Sequence, residues 1–138
     1  MGALVGAAVT LIIQSSSATV GIAIILTKKG FLSLTGGIAV MLGAELGTCG
    51  DTLLATIKAS RQALKTGLFH VIFNFLSIIL GLILFYPFVD LVETISCYRA
   101  PIERSLANAH MLFNVLGVVI FVWSIPLFER LFNRILPD

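Results

Sequence analysis

The polar residues with chemistry to offer fall at four places in an otherwise apolar chain. Gln14-Ser15-Ser16-Ser17 sets an amide beside three consecutive hydroxyls, and Thr19 follows two residues on. Hydroxyls and amides donate as well as accept hydrogen bonds, so this cluster can hold an anion or satisfy an irregular backbone. The run from Gly43 to Thr52 adds two carboxylates (Glu45 and Asp51), two hydroxyls (Thr48 and Thr52) and the Cys49 thiol among the glycines Gly43, Gly47 and Gly50. His70-Val71-Ile72-Phe73-Asn74 recurs forty residues later as His110-Met111-Leu112-Phe113-Asn114. In each copy the His and Asn are four apart, on one face of a helix. Cys49 and Cys97 have no metal-ligand spacing and form no CxxC or His/Cys cluster; they read as a small lining residue and a loop thiol.

The elements that carry these groups belong in a membrane. Of 138 residues, 58% are hydrophobic and 12% charged, and the mean hydropathy is +1.06. A soluble domain carries about twice that charge, so lipid is the solvent that fits. At roughly 20 apolar residues per crossing there is room for four or five spanning or re-entrant segments, few for a transporter acting alone. The net charge of +2 is small and scattered, which sets nucleic acid aside. No basic n-region with a small-residue cleavage site precedes the first apolar segment, which therefore reads as part of the mature protein.

Four apolar blocks define one membrane domain over residues 1–138 of an all-α polytopic protein. The first, 3–26, is broken at Gln14-Ser15-Ser16-Ser17 into arms of roughly 11 residues, each about half a bilayer long. That suits a re-entrant hairpin with its tip at the midplane, and a single broken helix would use the same residues. The second block, 31–57, is read as a helix broken over Gly43–Thr52. Blocks 67–89 and 106–128 are full transmembrane helices, with Pro87 and Pro126 near their ends, and a polar connection from Asp90 to Arg104 joins them.

Irregular backbone at membrane depth needs protein or a wet cavity to satisfy its polar groups, so two breaks imply a shared polar cavity. Broken helices turn N-terminal N–H groups toward an anion and unwound carbonyls toward cations. This is the arrangement of an ion-coupled secondary transporter, which makes no covalent bonds and is not an enzyme.

Gln14-Ser15-Ser16-Ser17-Ala18-Thr19, the Gly43–Thr52 run and the two His-x-x-Phe-Asn spans resemble the type II sodium-dependent phosphate cotransporter family. The order of elements, with Arg61 before the first His-x-x-Phe-Asn, is most similar to the C-terminal repeat of a bacterial member's membrane domain. Members contain two such halves as inverted repeats, and bacterial ones often add a PhoU-like domain. Here one half is seen and no PhoU-like part. The resemblance implies sodium-phosphate symport, with phosphate held by Gln14, Ser15, Ser16 and Ser17. By position it implies sodium or coupling-ion ligands at Thr19, Thr48 and Thr52, with Asn74 and Asn114 as further candidates. No cofactor is implied beyond sodium as coupling ion.

Where the family has Gly-Ala-Asn-x-Gly-Thr-Thr, this chain has Gly43-Ala44-Glu45-Leu46-Gly47-Thr48-Cys49. A bare carboxylate beside phosphate is repulsive, and burying one in a membrane costs about 2.5 to 3.5 kcal/mol. Glu45 therefore needs a cation, a proton or water, and it is assigned to the coupling-ion site. Plainer readings stand beside these. The serines could serve helix packing, and Asp51 above all could lie in a wet loop. His70, Asn74, His110 and Asn114 could be interhelical hydrogen-bonding groups, and Lys58, Arg61 and Lys65 interfacial anchors.

With the first block re-entrant, Lys28, Lys29, Arg99 and Arg104 share one side, against Lys58, Arg61, Lys65, Arg130 and Arg134. Four against five is almost no orientation bias, so two copies could insert oppositely and recreate two inverted halves. The expectation is a half-sized sodium-coupled phosphate transporter of the cell (inner) membrane, in contact with lipid. It works by alternating access as an antiparallel homodimer or with a separately encoded second half. The alternatives are a non-transporting membrane subunit and an ion-coupled transporter of a different anion.

Overall fold

A computed structural model describes residues 1–96 and 100–136. Cys97 and Arg99 lie outside the described residues. Among the described residues seven α-helices follow in order: α1 Gly2–Ile13, α2 Ser16–Lys28, α3 Leu34–Thr56, α4 Arg61–Ile83, α5 Phe85–Ile95, α6 Ile102–Phe121 and α7 Ile125–Ile135. A single 3-10 turn, Val122–Ser124, joins α6 to α7. By length and composition three stretches can cross a membrane: α3, α4 and the run Ile102–Ile135.

The first block is two short helices that fold back on each other. Gln14 adopts left-handed backbone (φ 56°, ψ 35°) and its N–H returns to the Thr10 carbonyl, which ends α1. Ser15 is extended, and its Oγ accepts from the Ala18 N–H at 3.3 Å to cap α2. The Thr10 hydroxyl then donates to that of Thr19 at 2.8 Å, a pair that a straight helix would hold about 13 Å apart.

The second block differs from expectation. The run read as a break, Gly43–Thr52, lies inside one uninterrupted helix of 23 residues. Its glycines serve contact instead of breakage. A Cβ at Gly43 would overlap the Ala3 carbonyl, and one at Gly6 would overlap the Val40 carbonyl, so α1 and α3 meet backbone to backbone. Each helical glycine costs about 1 kcal/mol in propensity, which close packing offsets where no side chain could fit. The carboxylates are tolerated because α3 is the central helix: Gly43, Ala44, Glu45, Gly47 and Cys49 are all buried.

Along the seam α1 and α3 run parallel, with Gly2 beside Ala39, Thr10 beside Gly47 and Leu11 beside Gly50. The tip is three residues past Leu11, about 4.5 Å. It is therefore level with the last turns of α3, not with its middle. Helix α2 returns antiparallel, bringing Thr27 against Gly37, where Leu106 of α6 also packs.

On the other side of α3 lie α4 and α6. The third block is displaced from 67–89: α4 ends at Ile83, Leu84 is non-helical, and α5 continues to Ile95 inside what was read as a polar connection. Pro87 has no N–H for the Ile83 carbonyl, and its ring crowds that position. Pro126 acts likewise at the 3-10 turn before α7, so the fourth block runs as α6, the 3-10 turn and α7, and the apolar run Ile102–Ile135, which contains 106–128, is long enough to cross. The core is built from Ile38, Met41 and Leu42 of α3, Val20 and Ala23 of α2, Ile78 of α4 and Leu106, Ala109 and Phe113 of α6.

Candidate functional site

The helical hairpin presents its tip outward. Gln14 and Ser17 are exposed, and Ser15 and Ser16 partly so. Ser16 opens α2, a 13-residue helix with no acidic residue in its first turn, so its free N–H groups and positive dipole end coincide with the serine hydroxyls. Thr19, one turn in, is buried and fully engaged: it accepts from Thr10 and donates to the Ser15 carbonyl at 3.2 Å. In this conformation Thr19 staples the hairpin. Thr10 is a residue that sequence reasoning missed; its signal is a lone hydroxyl in an apolar helix, nine positions from another.

A second polar cluster sits between α3, α4 and α6. Glu45, 6% exposed, shares a hydrogen bond with His110 Nε2 of α6 at 2.9 Å. Its backbone carbonyl accepts from Asn74 Nδ2 of α4 at 3.2 Å. One turn on, the Cys49 thiol points to the carbonyls of Glu45 and Val71. Two turns on, the Thr52 hydroxyl is 3.0 Å from His70 Nδ1. Each histidine of the repeated motif thus reaches a polar side chain of α3. Asn74 bridges helices too, whereas Asn114 is exposed and donates only to the His110 carbonyl of its own helix. Thr48 likewise bonds back to Ala44.

The tip and the Glu45 cluster do not surround one cavity. Glu45, Cys49 and Thr52 face α4 and α6, while Gly43, Gly47 and Gly50 face α1 on the opposite side of α3. Among the described residues the two groups lie on different sides of α3, and the second break expected to share a cavity with the first is helical. Asp51, which the plainer reading puts in a wet loop, is helical and follows Gly50 in α3. Its Oδ1 is buried without a hydrogen-bond partner among the described residues. A buried carboxylate oxygen left without a donor is a place a cation would stabilise. Among the described residues no group of three or more His, Cys, Asp or Glu could hold a metal ion.

The anion-ready tip and the polar cluster on a glycine-rich helix lie largely in the stretch that comparison with known proteins picks out. A family model described as Na+/Pi-cotransporter matches residues 1–89, more than half the chain. The chain belongs to the Na+/Pi-cotransporter family. The Bacillus subtilis (strain 168) protein YqeW is 33% identical over 138 residues, covering 97% of this chain and 43% of YqeW. Human sodium-dependent phosphate transport protein 2B is 31% identical over 129 residues, 90% of this chain and 18% of the relative. The rabbit (Oryctolagus cuniculus) protein 2A is 31% identical over 103 residues, 75% and 15% respectively. The chain spans less than half the length of each of these relatives. No solved structure gives a significant match. As a member of the Na+/Pi-cotransporter family with three apolar helices long enough to cross, the chain is consistent with a multi-pass membrane protein.

Proposed function

We propose that this chain forms one repeat of a sodium-phosphate symporter that works by alternating access, with the α1–α2 hairpin re-entrant in the cell (inner) membrane. The observation that carries this is the tip: Gln14 in left-handed conformation and the N-terminus of α2 converge with three serines, without an acidic neighbour in the first turn. Backbone N–H groups and hydroxyls at a helix N-terminus bind phosphate oxygens without a fixed cation. Gln14, Ser15, Ser16 and Ser17 are the phosphate ligands in this reading. Coupling ions fall to two places. Glu45, Thr48, Thr52 and Asn74 face one, between α3, α4 and α6. Asp51 and Thr19 belong to the other, at the tip end of the hairpin. Asn114 is dropped from the set because it is exposed and bonded within α6.

The exposed tip also argues for more protein. A phosphate carried across a membrane has to be enclosed, and Gln14 and Ser17 have no wall over them. The outward face of α1, with Leu4, Val5, Leu11 and Ile12 exposed, offers a surface for the second repeat. An antiparallel second copy supplies it in our reading, and a separately encoded half is the substitute.

Liposomes containing only this chain test the proposal through sodium-driven uptake of radiolabelled phosphate. Uptake that needs sodium and falls about tenfold in Ser16→Ala and Ser17→Ala supports it, since a lost charge-assisted hydrogen bond is worth roughly 1.5 kcal/mol or more. A folded oligomer that moves no phosphate overturns it in favour of a non-transporting subunit. Uptake of another anion keeps the mechanism and replaces the substrate.

A further inference from the structure

The corner between α4 and α7 is built like a receptor for an amphiphile. Helix α7 divides cleanly: Ile125, Leu127, Phe128, Leu131, Phe132 and Ile135 occupy one side of its circumference, and Glu129, Arg130, Asn133 and Arg134 the other. Part of the apolar side packs on α4, with the Phe128 ring edge-on to Phe69 at 5.4 Å and Phe132 buried. Leu127, Leu131 and Ile135 remain exposed, 44% or more. A helix so divided, lying beside the first turns of a spanning helix, sits at the membrane–water boundary.

Between these two helices is a cavity of about 410 Å³. Its polar wall is Gln62, Lys65, Thr66, Glu129 and Asn133, over a phenylalanine floor. The Lys65 ammonium donates to Asn133 Oδ1 at 3.0 Å, and Lys65 is only 8% exposed, unlike the surface anchor expected from sequence. Among the described residues the lining holds one cation and one anion, Lys65 and Glu129, while Arg130 and Arg134 are not part of it; Lys65 and Gln62 each make a further interaction. A largely apolar groove of about 260 Å³ shares Thr66, Phe69 and Ile125 with this cavity and continues past His70 along Phe73 of α4 and Val118 and Phe121 in the last turn of α6.

We propose that this corner seats an ethanolamine-type phospholipid. Its phosphate lies among the donors of Lys65, Gln62 and Asn133, its primary ammonium meets the Glu129 carboxylate, and one acyl chain follows the groove past Phe73. The charge pattern selects this headgroup. A choline headgroup has no N–H for Glu129, and a glycerol headgroup offers it neutral hydroxyls in place of an ammonium. The continuity of polar cavity and apolar groove selects a lipid over free phosphate, which has nothing to place in the groove.

Native mass spectrometry of the chain released from nanodiscs with equal phosphatidylethanolamine, phosphatidylcholine and phosphatidylglycerol tests this. The intact chain should retain the ethanolamine lipid about fivefold over each of the others, the ratio one partly exposed ion pair supplies. Glu129→Gln should bring the ethanolamine-to-choline ratio to about one, with an unchanged melting temperature because Glu129 is exposed. Val118→Trp should lower retention of all three lipids without changing their ratio. Equal retention by the intact chain, preference for the glycerol lipid, or an ethanolamine preference surviving in Glu129→Gln would each overturn the assignment. Displacement by soluble phosphoethanolamine as effectively as by the lipid would overturn the acyl-chain part. The readout needs no transport, so it stands or falls apart from the phosphate reading.

Discussion

At the scale of residues, two positions carry opposing demands. Gln14 holds a left-handed backbone that glycine adopts without penalty and other residues adopt at a cost of about 1 kcal/mol. Gln14→Gly should therefore raise stability by about 1 kcal/mol in thermal melting while lowering phosphate uptake, separating the turn from the amide. An unchanged uptake would assign Gln14 to the turn alone. Glu45 is the other. With His110 removed, its carboxylate is left buried and unpaired, so His110→Ala should cost about 3 kcal/mol, and the double variant Glu45→Gln, His110→Ala should recover much of that loss. Additive effects in that cycle would mean the two side chains do not interact. The need for a partner at Glu45 was legible in the sequence, because a lone carboxylate in an apolar helix is expensive. The partner was not: His110 is 65 positions away, and only the folded chain brings α6 onto α3.

At the scale of elements, the Gln-Ser-Ser-Ser break was readable because polar groups at mid-segment leave few structures open, and the chain does reverse between Gln14 and Ser15. The glycine-rich run of α3 was misread because glycine has two uses, turning a chain and letting two chains touch, and composition alone does not separate them. Local geometry does. Gly43→Ala and Gly6→Ala place a methyl group on a neighbouring backbone carbonyl and should each cost about 2 kcal/mol or more. Gly21, inside α2, has open space where a Cβ would go, so Gly21→Ala should stabilise by up to about 1 kcal/mol. Thermal melting of the three variants checks both signs. The ends of α4 and α6 were placed late by sequence because the apolar pattern runs through Pro87 and Pro126, and the bends belong to the missing N–H and ring of each proline, not to a loss of hydrophobicity.

At the scale of the whole molecule, two lysines mark opposite ends of the bundle. Lys28 meets Glu103 at 3.3 Å where α2 ends and α6 begins, and Lys65 meets Asn133 at the opposite end. Tag-accessibility mapping should find both orientations in one membrane if the antiparallel pair forms, and a single orientation for every molecule would favour a separately encoded half. What no sequence pattern announced is that the bundle has two kinds of internal boundary. Between α1 and α3 backbone rests on backbone at Gly6 and Gly43, a joint with no slack that cannot slide without tearing open. Between α3 and its neighbours α4 and α6, the polar links are a handful of side-chain hydrogen bonds, at His70, Asn74 and His110, that can be broken and remade. At this second boundary the links sit beside apolar packing of Leu42 on Ile78 and Phe113, with no backbone-to-backbone contact of the kind at Gly6 and Gly43 among the described residues. Any rocking that exposes the tip alternately to two compartments has its fault line along the face that carries Glu45.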